Sequence, residues 1–331
     1  MLLIMKSARV VGILVAASVV VVGCSGQSGD HIAGPLTWTQ ATPAAAFAPR
    51  QSFGAVAFAG KLWVIGGGDF ESPSGQVFFN DVWSSSDGVT WTQVTGSAGF
   101  SPRWAHTAIV FKDRIWVIGG SSYAGGWTSY ADVWSSSDGV SWTSATENAA
   151  FGTRQRHTTV VFAGKLWVIG GEDQSDDDVW SSADGVSWTL ATPSISTAPL
   201  RFNHSSVVYG DRIWTMFGDD GSWRQDVVSS TDGVTWNNVA YGTIIEKRTG
   251  HSSVVFDDAM WVIAGTGAVQ FNTNDYSSRD GVTWTANTSS TALPRRENAA
   301  AVVFDGHVWV LGGFYFLPDR DGTRNDVWRS E

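Results

Sequence analysis

Residues 103–120 read RWAHTAIVFKDRIWVIGG and residues 132–143 read DVWSSSDGVSWT. The two stretches hold four short apolar runs, 105–111, 114–118, 132–135 and 140–143, parted by turn-forming residues. Runs of that length, rich in Val, Ile, Trp and Thr, are strands, here called a, b, c and d. Asp138-Gly139 between c and d supplies the positive backbone φ of a tight hairpin, and the Asp or Gly between a and b does the same. Each unit is therefore an antiparallel four-stranded sheet.

The unit recurs six times, opened by Arg50, Arg103, Arg154, Arg201, Arg248 and Arg296. Thirteen residues after each arginine stands Trp63, Trp116, Trp167, Trp214, Trp261 or Trp309. Asp-Gly pairs beginning at Asp87, Asp138, Asp184, Asp232 and Asp280 precede the next arginine by sixteen or seventeen residues, so length varies in the loop between b and c. Strands a and b lack polar alternation, which implies that both sheet faces are covered, as when blades stack around an axis. A single repeat cannot bury that surface. The sixth copy stops after strand c, at Trp328-Arg329-Ser330-Glu331, while LTWTQAT at 36–42 matches VTWTQVT at 89–95. Trp38 lies twelve residues before Arg50, the interval from Trp91 to Arg103. The expected fold is all-β, a six-bladed β-propeller with four antiparallel strands per blade, the last blade closed by the N-terminal strand Leu36–Thr42.

The unit resembles the kelch repeat, whose paired glycines end strand b at Gly66-Gly67, Gly119-Gly120, Gly170-Gly171 and Gly312-Gly313, and the resemblance covers 35–331. Two copies depart from it, with Phe217-Gly218 and Ala264-Gly265, and serine stands at Ser84 and Ser85 where kelch strand c usually has tyrosine. Ser-Ser-Asp-Gly-Val-Thr-Trp is also similar to a sialidase Asp-box shortened by one residue, a structural hairpin in that family. Galactose-oxidase-type copper chemistry, which the kelch resemblance brings with it, needs a cysteine–tyrosine crosslink. The single cysteine, Cys24, lies outside the propeller, so that activity is disfavoured.

Residues 1–23 carry no acid, hold Lys6 and Arg9, and include an apolar run from Val10 to Val22. Thirteen residues of helix span roughly 20 Å, short of the ~30 Å hydrocarbon core, so the run reads as a secretion signal. Val21-Val22-Gly23-Cys24 resembles the bacterial lipobox. The expected division is a lipoprotein signal peptide at 1–23, lipidated Cys24 with a flexible tether at 24–34, and the propeller at 35–331. The chain is then exported and held on the cell envelope, with the membrane as a partner through its lipid. No cysteine remains for pairing, so the core alone must hold the domain. After cleavage 19 basic residues stand against 31 acidic ones, a net charge near −12 that disfavours nucleic acid and anionic lipid. A monomer without cofactor is expected.

Arginine opens strand a, the glycine pair closes b and Asp81-type residues open c, so all three share the face that carries the variable b–c loops. The opposite face has uniform turns, and a ligand site is expected on the variable one. Trp104, Trp127 and Trp223 fall outside the repeat columns. With Tyr123, Tyr130, Phe314 and Tyr315, and with Phe70 and Phe316 in the same loops, they make an expected aromatic surface for sugar rings or a protein loop.

Asp81, Asp132, Asp178, Asp226 and Asp326 stand in the column facing Arg50, Arg103, Arg154, Arg201 and Arg296, which suits bidentate pairing. The fifth copy has Asn274 there and Asp275 one residue on, which leaves Arg248 to meet a ligand. His106, His157, His204 and His251 read as hydrogen-bonded packing residues on separate blades, and no metal site is expected. Glu71, Glu172, Asp173, Asp219, Asp220 and Glu297 bring carboxylates to the variable face without singling out a catalytic pair. The leading expectation is an envelope-anchored binding module for carbohydrate or protein. The alternatives are a periplasmic sugar epimerase or glycosidase, and a structural envelope protein.

Overall fold

A computed structural model describes residues 34–73, 75–172, 177–195, 201–241, 246–267, 274–287, 293–315 and 322–331. The expected signal and most of the tether, Cys24 included, lie outside the described residues, as do Asp173 and Phe316.

The described residues form strands and turns without a helix, arranged as a six-bladed β-propeller. Blade one runs Gly54–Phe58, Lys61–Asp69, Val77–Ser85 and Thr92–Thr95 in hydrogen-bonded order, and the later blades repeat it. In blade six, Ala300–Phe304, His307–Tyr315 and Gly322–Ser330 are completed by Trp38–Thr42, antiparallel with Trp38 opposite Ser330. The N-terminal strand covers the outer edge of strand c in blade six, and closing the ring buries the blade faces that an open array would expose.

Strand d starts later than its apolar pattern suggests. In blade two it is Thr143–Thr146, because the Asp138 carboxylate takes the amides of Val140 and Ser141 at 2.8 Å and Ser136 Oγ takes that of Gly139. Val140 thus sits on the turn, 52% exposed. The N-terminal strand likewise begins at Trp38 and not at Leu36. Strand b is buried on both faces, with Val64, Val117 and Val168 sealed, but strand a is only half covered, since it is the innermost strand and its edge lines the axial channel.

Two belts of backbone hydrogen bonds join the blades. The residues two places after each arginine, Ser52, Ala105, Arg156, Asn203, Gly250 and Asn298, all adopt left-handed φ of 49–62°. Each donates its amide to the same residue of the preceding blade at 2.8–3.1 Å, and Ser52 donates to Asn298 to complete the circle. The second belt explains the paired glycines. The first position of each pair has φ of 51–60°, which Phe217 and Ala264 also adopt, and its carbonyl accepts Nη1 of the blade's arginine. The second position has φ of 93–115° and donates to the arginine carbonyl of the next blade at 2.8–3.1 Å. A Cβ there would meet its own blade, as at Gly218, 2.8 Å from His204, so the second residue is glycine in all six copies.

The ring junction has its own solution. In blades one to five the strand d tryptophan donates to the glycine carbonyl of its own turn, as Trp91 does to Gly88 at 3.1 Å. Trp38 has no such turn before it and donates to Asp275 Oδ2 in blade five at 2.7 Å. By strand register Asp275 stands where other blades have Val82, Val133, Val179, Val227 and Val327. Burial raises its carboxyl from an ordinary 3.8 to about 6, opposed by the Trp38 indole and the Ala264 amide. A folded-state value above the unfolded one means that the folded protein binds the extra proton between the two. The contribution of this group to stability therefore falls as pH rises from about 4 to about 6, and the penalty is complete above that. Thermal unfolding between pH 4 and 7.5 should show wild type losing stability relative to Asp275→Asn across that window. Parallel curves would remove the assignment of a raised carboxyl.

Candidate functional site

Five arginines of the variable face are neutralised in place. Arg50 donates Nη1 and Nη2 to the Asp81 carboxylate at 2.7 and 2.9 Å, and Asp81 also accepts Trp83 Nε1 at 2.7 Å. Arg103 meets Asp132 at 2.6 and 2.8 Å, Arg154 meets Asp178 at 2.9 Å, and Arg296 meets Asp326 at 3.2 Å. Arg201 pairs with Asp226, which Arg224 also contacts. Rings cover these guanidiniums: Phe79, Tyr130 and Tyr315 lie 4.2, 4.4 and 4.2 Å from Arg50, Arg103 and Arg296. The Tyr130 hydroxyl bonds Ser122 at 2.7 Å, and the Tyr315 hydroxyl donates to Asp326. Tyr315 is buried, so its ring serves the ion pair and presents no exposed face to a ligand.

Among the described residues no carboxylate pairs with Arg248. Its Nη1 donates to the carbonyls of Ala264 and Asn274 at 3.0 and 3.4 Å, while Nε and Nη2 have no hydrogen-bond partner among the described residues. Yet the residue is 0% exposed, with its guanidinium 4.8 Å from the Tyr276 ring. A ligand would have to open the blade to reach it.

The histidines bridge blades. His157, His204 and His251 bond through Nε2 to Thr107, Thr158 and Ser205 of the preceding blade, at 3.1, 2.9 and 2.7 Å. His106 faces Gly54, which offers no hydroxyl, so among the described residues it lacks the side-chain partner on the preceding blade that the other three have. Burial, reinforced by the arginine of the same blade, lowers His106 and His204 to about 3 and holds His157 and His251 well below the ordinary range. All four are neutral at physiological pH. Among the described residues no group of three or more His, Cys, Asp or Glu is placed to hold a metal.

The strand a openings surround an axial cavity of about 260 Å³. Its wall is two-sided: Phe53, Ala55 and Ala300 on blades one and six are apolar, whereas Thr107, Thr158 and Ser205 on blades two to four carry hydroxyls. At its mouth Arg156 pairs with Glu172 at 2.9 Å. Glu297, raised by burial and bonded by the Thr266 hydroxyl, feels the Arg156 charge.

Four of the expected aromatic residues, Trp104, Trp127, Tyr123 and Phe70, meet beside this mouth. Trp127 lies 5.5 Å from Tyr123, 5.9 Å from Trp104 and 6.3 Å from Phe78, and Phe70 packs 4.6 Å from Trp104 and 5.5 Å from Phe78. Trp127 and Tyr123, from the hairpin strands Trp127–Ser129 and Ser121–Tyr123, are 56% and 45% exposed. Arg156 lies over Trp104 at 5.0 Å and joins this shelf to the cavity. Trp223, half-buried and bridged to Asp219, belongs to blade four, and Phe314, half-buried opposite Glu297, to blade six. The expected surface is thus a compact group on blades one and two, capped by Arg156 of blade three, with Phe78 and Arg156 as members that the sequence reading passed over. Phe78 was hidden by lying inside strand c, and Arg156 by standing in a column whose shared feature is its backbone.

A ring of four-stranded repeats with one uniform and one variable face defines a repeat propeller of the interaction-module class. The model for the KLHDC2/KLHL20/DRC7 Kelch-repeats domain matches residues 33–218, and the chain belongs to the kelch-repeat family. The solved structure of YjhT is similar over 87% of this chain and 96% of that one, with a TM-score of 0.68 at 15% identity, a likeness of fold. No curated protein matches the chain.

The arginine collar makes a stability prediction. Asp81→Ala leaves Arg50 buried without its carboxylate and should cost about 3–5 kcal/mol. Arg248→Met orphans no directly paired carboxylate and should fall within about 1 kcal/mol of wild type or exceed it. Urea unfolding of the two variants distinguishes these outcomes.

Proposed function

We propose that the protein is a binding module that takes carbohydrate on the aromatic shelf of blades one and two. The carrying observation is that Trp127 and Tyr123 stand half-exposed, Trp127 packed on Trp104 and Phe78 and Tyr123 packed edge-on against Trp127. Exposed rings fixed before binding lose little freedom when a ligand stacks on them. The size of the shelf favours sugar over protein. Two partly exposed aromatic side chains, of roughly 150–250 Å² each when wholly exposed, fall well short of the ~800 Å² that each partner contributes to a stable protein interface. A sugar ring offers an apolar C–H face to such a surface and hydroxyls to the polar groups at its rim.

Export and lipidation at Cys24 belong to the same proposal, supported by the apolar run 10–22 and the Val21–Cys24 tetrapeptide. The described chain enters the ring beside Ser330, on the turn face, while the shelf is on the opposite, variable face. The protein acts as a monomer in this reading.

Soluble residues 25–331, run on a microarray of neutral and acidic glycans, test it. Binding should fall at least tenfold in Trp127→Ala and in Tyr123→Ala, with the thermal midpoint within a few degrees of wild type. Variants that bind as wild type while losing stability would make the shelf a packing feature and sink the reading.

A further inference from the structure

We propose that the shelf leads the end of a neutral glycan chain into the axial cavity, so that the protein recognises chain termini and not chain interiors. This rests on the carbohydrate reading above and adds which part of the chain is read and what charge it carries.

Arg156 joins the two surfaces. Its guanidinium lies 5.0 Å from the Trp104 ring of the shelf and 5.7 Å from Phe202, and the same residue lines the cavity mouth. Glu172 at 2.9 Å already answers its charge. The rest of the described lining holds no other charged side chain, since the histidines there are neutral. An anionic sugar would therefore lose water at this mouth without gaining an unpaired cation, which penalises it relative to a neutral one. A neutral polyol finds the planar donors of Arg156, the Glu172 carboxylate, and the amides of Asn203 and Asn298 at the rim.

Shape selects the terminus. The rim is a closed belt of six hydrogen-bonded residues, so a chain cannot slide in from the side. At about 260 Å³ the cavity is smaller than the ~300–1,000 Å³ typical of sites for drug-sized ligands, room for about one sugar ring. Its two-sided wall suits such a ring, with Phe53, Ala55 and Ala300 toward the C–H face and the hydroxyls of blades two to four toward the O–H edge. Units behind the first would then lie over Arg156, which covers the buried Trp104, toward the exposed Trp127.

The test uses linear tri- to hexasaccharides of glucose, galactose, mannose and N-acetylglucosamine. Each is offered with both ends free, with the non-reducing end capped by a benzylidene group, and with the reducing end coupled to a bulky amine. Affinities for soluble residues 25–331 are measured by titration calorimetry. Capping one of the two ends should weaken binding at least tenfold. Arg156→Ala should weaken it similarly without loss of fold, because Ala105 occupies the same left-handed position in blade two. If both capped forms bind as the free chain does, the glycan crosses the shelf and the terminus inference falls while the shelf reading stands. Binding confined to the acidic glycans of the microarray overturns the neutral preference. No binding to any sugar, or binding indifferent to Trp127→Ala, overturns both readings together.

Discussion

Six amide hydrogen bonds run head to tail around the axis, each linking the left-handed residue two places after one arginine to its counterpart in the blade before. Much of the variable face follows from that circle. The left-handed residue reverses the chain just before strand a, which leaves the preceding arginine carbonyl pointing at the neighbouring blade. There the second glycine of the pair receives it, in a conformation that a side chain would obstruct. The arginine side chain folds back to the carbonyl of the first position in its own pair, and in five blades finds an aspartate beside it. Belt, glycine pair and ion pair are thus one unit, repeated by rotation.

Blade five departs from that unit at one place, with two consequences. Strand c there reads Asn274-Asp275, where its neighbour reads Asp226-Val227. The missing aspartate strips Arg248 of its carboxylate, and the extra one appears in a buried column beside the ring junction. At that junction the closing strand arrives without the hairpin whose glycine carbonyl satisfies every other strand d tryptophan, and Asp275 takes the Trp38 indole instead. A buried indole N–H left unpaired would cost about 1–3 kcal/mol. The displaced carboxylate is therefore best understood as part of ring closure, and the bare arginine as its by-product. This account gives Arg248 a structural explanation and leaves the ligand question to blades one and two.

The architecture was legible because every copy repeats the same spacing of arginine and tryptophan, because an Asp-Gly pair stands sixteen or seventeen residues before each arginine from Arg103 on, and because the N-terminal LTWTQAT supplies the strand that the last copy lacks. The boundary of strand d was not legible. Val140 looks like a strand residue by type, but side-chain bonds from Ser136 and Asp138 hold it on a turn, and such local bonds leave no mark on hydrophobic pattern. The left-handed belt left a partial trace, since Asn203, Gly250 and Asn298 are residues that tolerate positive φ, but Ser52, Ala105 and Arg156 masked it. The site was half legible. Trp104, Trp127 and Tyr123 stood out as aromatics outside the repeat columns, as did Tyr130 and Tyr315, and sequence has no means to tell rings that face solvent from rings that cover a guanidinium.

The same logic locates asymmetry inside the channel. Around blades two to five a hydroxyl after each histidine bridges forward, as Thr107 does to His157 and to Thr159 at 3.1 and 2.7 Å. Blade one breaks the pattern with Gly54, and blade two matches it with Ala108. A Cβ on Gly54 would come within 2.5 Å of the Ala108 Cβ, so there is no space for the hydroxyl that His106 lacks. Blade six carries Ala299-Ala300 in place of histidine and hydroxyl. These changes fall together at the seam between blades six, one and two, the same sector in which the b–c loops gather Phe70, Phe78, Tyr123 and Trp127. A repeat ring left to packing alone has no reason to concentrate its apolar channel wall and its exposed aromatics in one sector. Their coincidence sets the exposed Trp127 and Tyr123 in the same sector as the apolar channel wall, with Arg156 of blade three covering the buried Trp104 at the edge of that sector.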